Sequence, residues 1–381
     1  MLASRQTLNL SSRLARLSSY RLYAKTSTDD PSKLTQNDIG KIYQIPLEAT
    51  KTLAFEKILP SKFNKQVNTL DECAILCRQE FLEVLNCLNA VRTSLPSIRV
   101  VFWGKFGTGK TMTLAQTIHF AQTQNWVIFN VKDVMTWTRM VKDVQSSAYK
   151  PGRIDLPEHS VDFLQHFKLQ NQHIWKILSG LKTERTYEWT KVEKTMQDRP
   201  ITEIVEMGIA SPFMANDCVG ALCRELRRHS SSGAIKLLVA MDSGNSLYGK
   251  TLIKKTDRSF AVPDELSLIY QVKKFLKDDW TNGLVLMIAD KREIADARDT
   301  LAVPIDTPIE LFTEHGFEDI DPFIPIETKL YTQDEARIIH EYYKEKNWLV
   351  TEDARSDKGL RELYYLAAYN PHHFERLCAF N

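Results

Sequence analysis

At 381 residues, with 43% apolar and 26% charged side chains, the chain is long enough for two or three folding units of ordinary size. No run approaches the roughly 20 apolar residues of a membrane-spanning helix. The six cysteines (Cys73, Cys77, Cys87, Cys218, Cys223 and Cys378) show no C-x-x-C or paired metal-ligand spacing, which argues for packed thiols over a disulfide framework or a metal cluster. The formal charge of +2 is unevenly spread: Arg5, Arg13, Arg16, Arg21 and Lys25 lie in an acid-free stretch over 1–28, leaving 45 basic residues against 48 acidic ones.

That leader puts Leu10, Leu14 and Leu17 at helical spacing, and Arg13 and Arg16 can lie on the other side. A basic, acid-free amphipathic helix has the composition of a mitochondrial transit peptide, here assigned to 1–23 and implying the mitochondrial matrix. Arg21-Leu22-Tyr23 before Ala24 resembles a processing site. A nucleic-acid-binding arm is the competing reading. Residues 24–69 are polar and proline-punctuated, an expected irregular extension whose Ile39, Ile42, Tyr43 and Ile45 could dock on the body. Leu70 to Val91 reads as one helix of about six turns, with Cys73 and Cys77 on one face.

Ile98 to Trp103 reads as a buried strand interrupted by Arg99, and Met112 to Gln124 as a helix with Leu114, Ile118 and Phe120 inward. Between them, Gly104-Lys105-Phe106-Gly107-Thr108-Gly109-Lys110-Thr111 completes the G-x-x-x-x-G-K-[ST] phosphate-loop pattern. Its glycines let backbone N–H groups and the helix N-terminus converge on an anion. Gly104 through Thr111, with Met112, are thus the candidate nucleotide-binding residues. Lys110 is expected on the β- and γ-phosphates and Thr111 on Mg²⁺.

Trp126 to Val131 is a second strand. Residues 133–199 show no strand-helix alternation and read as an insertion of helices and loops. Its Trp137, Tyr149, Phe163, Phe167, Trp175, Tyr187 and Trp189 suit helix anchors better than an RNA-stacking surface. Thr202 to His229 is helical, interrupted at Ser211-Pro212. Lys236 to Met241 is an apolar strand ending on Asp242, whose carboxylate suits Mg²⁺ opposite Thr111. Pro263 to Lys277 reads as a helix, Leu284 to Ala289 as a strand with Asp290 at its tip, and Phe323 to Ile326 as a last strand. Helices over 335–346, 359–368 and 371–380 complete the chain. The expected architecture is an α/β nucleotide-binding domain over 70–327 with a parallel sheet, followed by a small helical lid over 328–381.

The water-orienting glutamate that many phosphate-loop ATPases carry beside the strand-end aspartate is missing. Asp242 is followed by Ser243, and serine is no base near neutral pH without an activating group. Glu225 and Glu265 are the remaining candidates. No N-K-x-D guanine-reading motif occurs, so the base is open at this point. No catalytic residue is assigned, and slow or absent hydrolysis is expected. Three basic clusters could meet RNA: Arg224, Arg227 and Arg228; Lys250, Lys254, Lys255 and Arg258; and Lys273, Lys274 and Lys277.

Gly104 to Phe120, Leu237 to Gly249 (LLVAMDSGNSLYG), Gly316 to Ile326 (GFEDIDPFIPI), Asn347-Trp348-Leu349 and Asn370-Pro371 together resemble the death-associated-protein family, the phosphate-loop component of the mitochondrial small ribosomal subunit. The resemblance covers about residues 70–381. It implies a core like the AAA-type ATPases with a helical lid, and a ribosomal protein in the head of the small subunit near the large one. Small-subunit rRNA and neighbouring ribosomal proteins are the implied partners, with a large-subunit bridge contact a further implication. GTP or GDP with Mg²⁺ is the implied ligand, ATP staying open, and the family is also linked to apoptosis. The phosphate loop carries over to Gly104 through Thr111 and the magnesium aspartate to Asp242. Alternative functions are a mitochondrial AAA-like ATPase that remodels protein or DNA, and a nucleotide-dependent signalling switch.

Overall fold

The computed structural model describes residues 23–293 and 307–379, so most of the leader, 1–22, lies outside it. Its strands, in chain order, are β1 (Ile42–Ile45), β2 (Cys73–Leu76), β3 (Ile98–Trp103), β4 (Val127–Val131), β5 (Gln145–Ser146), β6 (Ile154–Asp155), β7 (Tyr187–Glu188), β8 (Lys194–Thr195), β9 (Leu237–Met241), β10 (Gly283–Ile288) and β11 (Ile324–Glu327). Five of them form one parallel sheet in the order β11-β3-β10-β9-β4. Both faces of β3, β10, β9 and β4 are covered, so these strands are near-continuous apolar runs, whereas the edge strand β11 is largely exposed. Val101, Phe129, Val239 and Met287 point to one face, and Phe102, Ile128, Leu238 and Leu286 to the other. All eight are fully buried, each worth about 1.5–3 kcal/mol relative to exposure. Arg99 is tolerated in β3 because it sits near the strand's start. There it ion-pairs with Asp278 (2.8 Å) and donates to the carbonyls of Leu276 and Pro322.

The extension is more ordered than its punctuation predicts. β1 is followed by α1 (Leu47–Thr52) and α2 (Ser61–Leu70), and Ile42, Tyr43, Ile45, Leu53 and Phe55 are buried. Tyr23, assigned to the leader, is itself buried and sits edge-on to Tyr342 at 5.1 Å. The single helix expected over Leu70 to Val91 is not formed. Asp71 takes a left-handed φ of 52° and ends α2, β2 pairs antiparallel with β1, and α3 starts only at Gln79 and runs to Ala90. Cys-Ala-Ile-Leu is a short apolar run that periodicity alone cannot assign; burial of all four residues against β1 favours the strand. Cys73 and Cys77 therefore share no helix face. Burial pushes both thiols up to about 12, which leaves them unreactive.

α4 (Lys110–Thr123) leaves β3 through the glycine-rich loop. The insertion contains α5 (Met135–Arg139), α6 (Pro157–Gln170), α7 (Trp175–Gly180) and two small ladders, β5 with β6 and β7 with β8. Its aromatics are anchors: Trp137, Phe163, Phe167 and Tyr187 are buried, Trp175 and Trp189 pack against the same core, and Tyr149 is exposed. α8 (Ile201–Ala210) and α9 (Pro212–Ser231) break at Ser211, as expected. α10 (Ser267–Lys273) is shorter than the helix predicted there, being flanked by 3-10 turns. No sequence expectation covers α11 (Pro308–Ile320). The C-terminal unit holds α12 (Gln333–Glu345), α13 (Glu352–Arg355), α14 (Asp357–Leu366) and α15 (Pro371–Cys378). It shares a core with Tyr23, Ile42 and Leu76.

Candidate functional site

Parallel strands present their carboxyl ends along one edge of the sheet, where ligands of such folds bind. At this edge a cavity of about 520 Å³ opens beside the glycine-rich loop, a size suited to a small ligand. Phe106, Gly107, Thr108, Gly109, Lys110, Thr111 and Met112 all line it. Gly104 and Lys105 do not; their carbonyls instead accept from Lys110 Nζ at 2.9 and 2.8 Å. This holds the ammonium, which is largely buried, across the loop.

The loop's shape needs its glycines. Gly104 has φ 119°, and a Cβ there would fall 2.7 Å from the Thr328 carbonyl oxygen. Gly107 has φ 81°, and a Cβ would fall 2.6 Å from Asn370 Oδ1. The second collision shows how closely the C-terminal unit covers the loop. Asn370 Nδ2 donates to the Phe106 carbonyl (2.7 Å) and the His372 N–H to the Gly107 carbonyl (3.1 Å). Asn370 Oδ1 simultaneously caps α15, accepting from His372 and His373 N–H groups. The Asn-Pro pair is a helix-start signature, but its second task on the loop is invisible in sequence. Asn370→Ala is expected to cost about 1–2 kcal/mol, a lost cap plus a lost carbonyl partner, read as a lower midpoint in thermal unfolding.

Thr111 and Asp242 are brought together as expected: Thr111 Oγ1 donates to Asp242 Oδ2 at 3.1 Å. A hydroxyl and a carboxylate beside a glycine-rich loop are a donor set that fits Mg²⁺, a hard cation that takes oxygen ligands and keeps its waters. Asp242 is pushed up to about 7, by burial first and then by the charges of Asp133 and Asp290. An acid held above its ordinary 3.8 binds its proton more tightly in the folded chain. The metal-free protein therefore loses stability as pH rises from 3.8 towards 7. A metal ligand must be ionised, so Mg²⁺-dependent nucleotide binding should tighten between roughly pH 6 and pH 8. Calorimetric titrations across that range check this, and Asp242→Asn should flatten the dependence.

Several site residues carry no sequence signal. Arg78, buried just before α3, donates to the Thr108 carbonyl (3.0 Å) while ion-pairing with Glu80 (3.2 Å) and Glu335 (2.8 Å). It thereby ties the loop to α12. Glu375, on α15 one turn beyond His372, lines the cavity, and burial pushes its carboxyl up to about 7. Lys57, Pro60 and Ser61 form the wall leading into α2. The two glutamates considered as bases do not line the cavity. Glu225 is buried against Tyr187 (2.7 Å) and Arg228 (2.9 Å), and Glu265 pairs with Lys255 at 3.1 Å.

The basic clusters are largely engaged within the fold. Arg227 pairs with Asp279 (2.6 Å), Arg228 with Glu225, and Lys273 with Asp264 (2.7 Å). Lys254 and Arg258 are exposed on a loop that also exposes Phe260. No helix among the described residues is long and apolar enough to cross a membrane.

The sequence matches the family described as mitochondrial ribosomal death-associated protein 3 over residues 75–377. It is 37% identical to small ribosomal subunit protein mS29 of Bos taurus, over 94% of this chain and 89% of that one. It is 35% identical to mS29 of Mus musculus, over 94% and 90%. The mS29 of Neurospora crassa is 23% identical over 54% of this chain and 42% of its own. A DNA replication initiation factor of known structure superimposes loosely, with a TM-score of 0.28 at 13% identity over 86% of this chain and 67% of that one. The match over most of its length, at this identity to two full relatives, makes the chain a member of the mitochondrial ribosomal death-associated protein 3 family.

Proposed function

We propose that this chain is a structural constituent of the mitochondrial small ribosomal subunit, working in the matrix, and that it holds a purine nucleotide with Mg²⁺ in an AAA-like phosphate-loop core. One observation carries the nucleotide reading: a complete glycine-rich loop lies open to a cavity and is bridged to the lid by Asn370 and His372. The loop's amides and Lys110 would hold the phosphates, Thr111 and Asp242 the metal, and the cleft between the α2 wall and α15 the base and sugar. Guanine or adenine would fit the same cleft.

Hydrolysis is slow or absent in this reading, because Ser243 stands where a water-orienting glutamate would act and its Oγ accepts from Arg292 (3.1 Å). Single-turnover hydrolysis should stay below about 1 s⁻¹, the low end of ordinary enzyme rates. A nucleotide bound only to the folded state stabilises it by mass action, by about 2.7 kcal/mol at a hundredfold excess over its dissociation constant. That is a sufficient use for a ligand that is never consumed. Apart from its leader the chain is not basic, whereas RNA affinity depends on cations that neutralise phosphates. Attachment to the particle therefore rests on neighbouring proteins as well as on rRNA, with Lys254 and Arg258 exposed on their loop. Sedimentation of mitochondrial lysate through sucrose tests the placement: the chain should travel with the small-subunit rRNA, and a chain that stays at the top of the gradient overturns it.

A further inference from the structure

The chain that leaves β9 does not pass straight into α10. Over 250–262 it runs out and back as a hairpin, with Lys254 and Phe260 paired antiparallel. The Lys255 N–H donates to the Ser259 carbonyl (2.8 Å), the Ala261 N–H to the Ile253 carbonyl (2.8 Å) and the Arg258 N–H to the Lys255 carbonyl (3.0 Å). The base of the hairpin is fixed to the body. Thr251, Ile253 and Ala261 are buried, Thr251 Oγ1 donates to the Ala261 carbonyl, and the Leu252 N–H donates to the Thr138 carbonyl on α5 at 2.9 Å. The rest points outward: Lys250, Lys254 and Arg258 are exposed, and so are Leu252, Phe260 and Val262.

The charge on this hairpin is not balanced. Its one carboxylate, Asp257, is spent on its own turn, accepting from the Ser259 N–H (2.9 Å) and hydroxyl (2.6 Å). Lys255 pairs with Glu265 at 3.1 Å, but no ion pair among the described residues engages Lys250, Lys254 or Arg258. Arg227, Arg228 and Lys273, in the other two basic clusters, are each paired with a carboxylate. An exposed apolar loop by itself would suit a protein partner. Three cations without counter-charge, beside an aromatic ring that is 53% exposed, suit a polyanion that also carries planar rings. Phosphates meet the cations, and an unstacked base meets the ring. Lys254 Nζ stands 5.9 Å from the Phe260 ring centroid, so both kinds of contact lie side by side. A duplex hides its base faces, so an unpaired strand or loop is the form that fits.

We propose that the 250–262 hairpin is a docking element for an unpaired segment of RNA, with Lys250, Lys254 and Arg258 on phosphates and Phe260 stacked on a base. The proposal rests on the ribosomal reading above and makes no use of the nucleotide site. It is tested on the full chain by fluorescence anisotropy with two probes, a single-stranded RNA of about 12 nucleotides and a duplex of the same length, across roughly 50–200 mM salt. The single strand should bind more tightly than the duplex. Replacing Lys250, Lys254 and Arg258 together by Gln should remove about 2 from the log–log salt slope, at about 0.7 per phosphate on a single strand. Phe260→Leu keeps an apolar side chain without the ring, and should weaken binding about 10- to 100-fold with the slope unchanged. All four side chains are exposed, so both variants should melt with the wild type. Absent RNA binding by the wild-type chain, equal affinity for the duplex, or a Phe260→Leu variant that binds like wild type would each overturn the proposal. So would a triple variant that keeps the full slope, as expected of a hairpin that serves a protein neighbour. A wild-type chain that does not sediment with the small subunit defeats the ribosomal reading; one that does, while both variants bind RNA normally, defeats the hairpin alone.

Discussion

Replacing Lys110 with alanine is expected to weaken nucleotide binding at least about 100-fold while leaving the ligand-free protein as stable as the wild type to within about 1 kcal/mol. The two halves have different causes. In the ligand-free chain the ammonium donates to the carbonyls of Gly104 and Lys105, and deleting it also relieves the cost of burying a charge. With nucleotide bound, the same ammonium meets phosphate oxygens, and charge-assisted hydrogen bonds are worth roughly 1.5–3 kcal/mol each. A thermal-shift series with GDP, GTP and ATP reads both halves at once. The wild-type midpoint should rise with nucleotide, and the Lys110→Ala midpoint should start at the same value and stay there. A variant that still shifts with nucleotide would remove the loop from the account.

Arg78→Ala should have the largest effect on stability, a loss of about 3–5 kcal/mol, the usual cost of leaving one side of a buried ion pair without its partner. Arg78 and Glu335 are 11% and 12% exposed and Glu80 is 8% exposed, so water cannot take over from the guanidinium. Burial works against the charge of Arg78, but the Glu335 hydrogen bond and the Glu80 charge outweigh it and hold the group above its usual value. The carbonyls of Thr108, Lys329 and Leu330 would lose a donor as well. The melting midpoint should fall by roughly 10 °C. Arg78→Lys, which keeps charge without the fork, should recover only part of this. A loss below about 1 kcal/mol, the range of an exposed pair, would show that the lid does not depend on this network. Lys110 is expected to act on the ligand, whereas Arg78 holds the walls around the loop.

The catalogue of readable features follows chain distance. Gly104 through Thr111 act through contiguous backbone, so eight letters in a row announce them. β9 and β10 are buried on both faces, and their uninterrupted apolar runs end on Asp242 and near Asp290. β2 reads in sequence as helix because four apolar residues carry no decisive period, and only its pairing with β1, about thirty residues earlier, settles it as a strand. The clamp on the loop was illegible for a stronger reason. Arg78 and Glu335 are 257 positions apart and Phe106 and Asn370 are 264 apart. No local pattern records such a meeting. Glu375 and Arg292 belong to no motif in the sequence, and only the cavity gives them a place.

The central claim, that the loop is a resident nucleotide socket in a ribosomal particle, is tested most directly by purifying the small subunit through this chain, denaturing it and quantifying released nucleotide by mass spectrometry. The account predicts close to one purine nucleotide per chain in the wild-type particle and essentially none in a particle carrying Lys110→Ala. A wild-type particle without nucleotide, or one whose nucleotide survives Lys110→Ala, would contradict it.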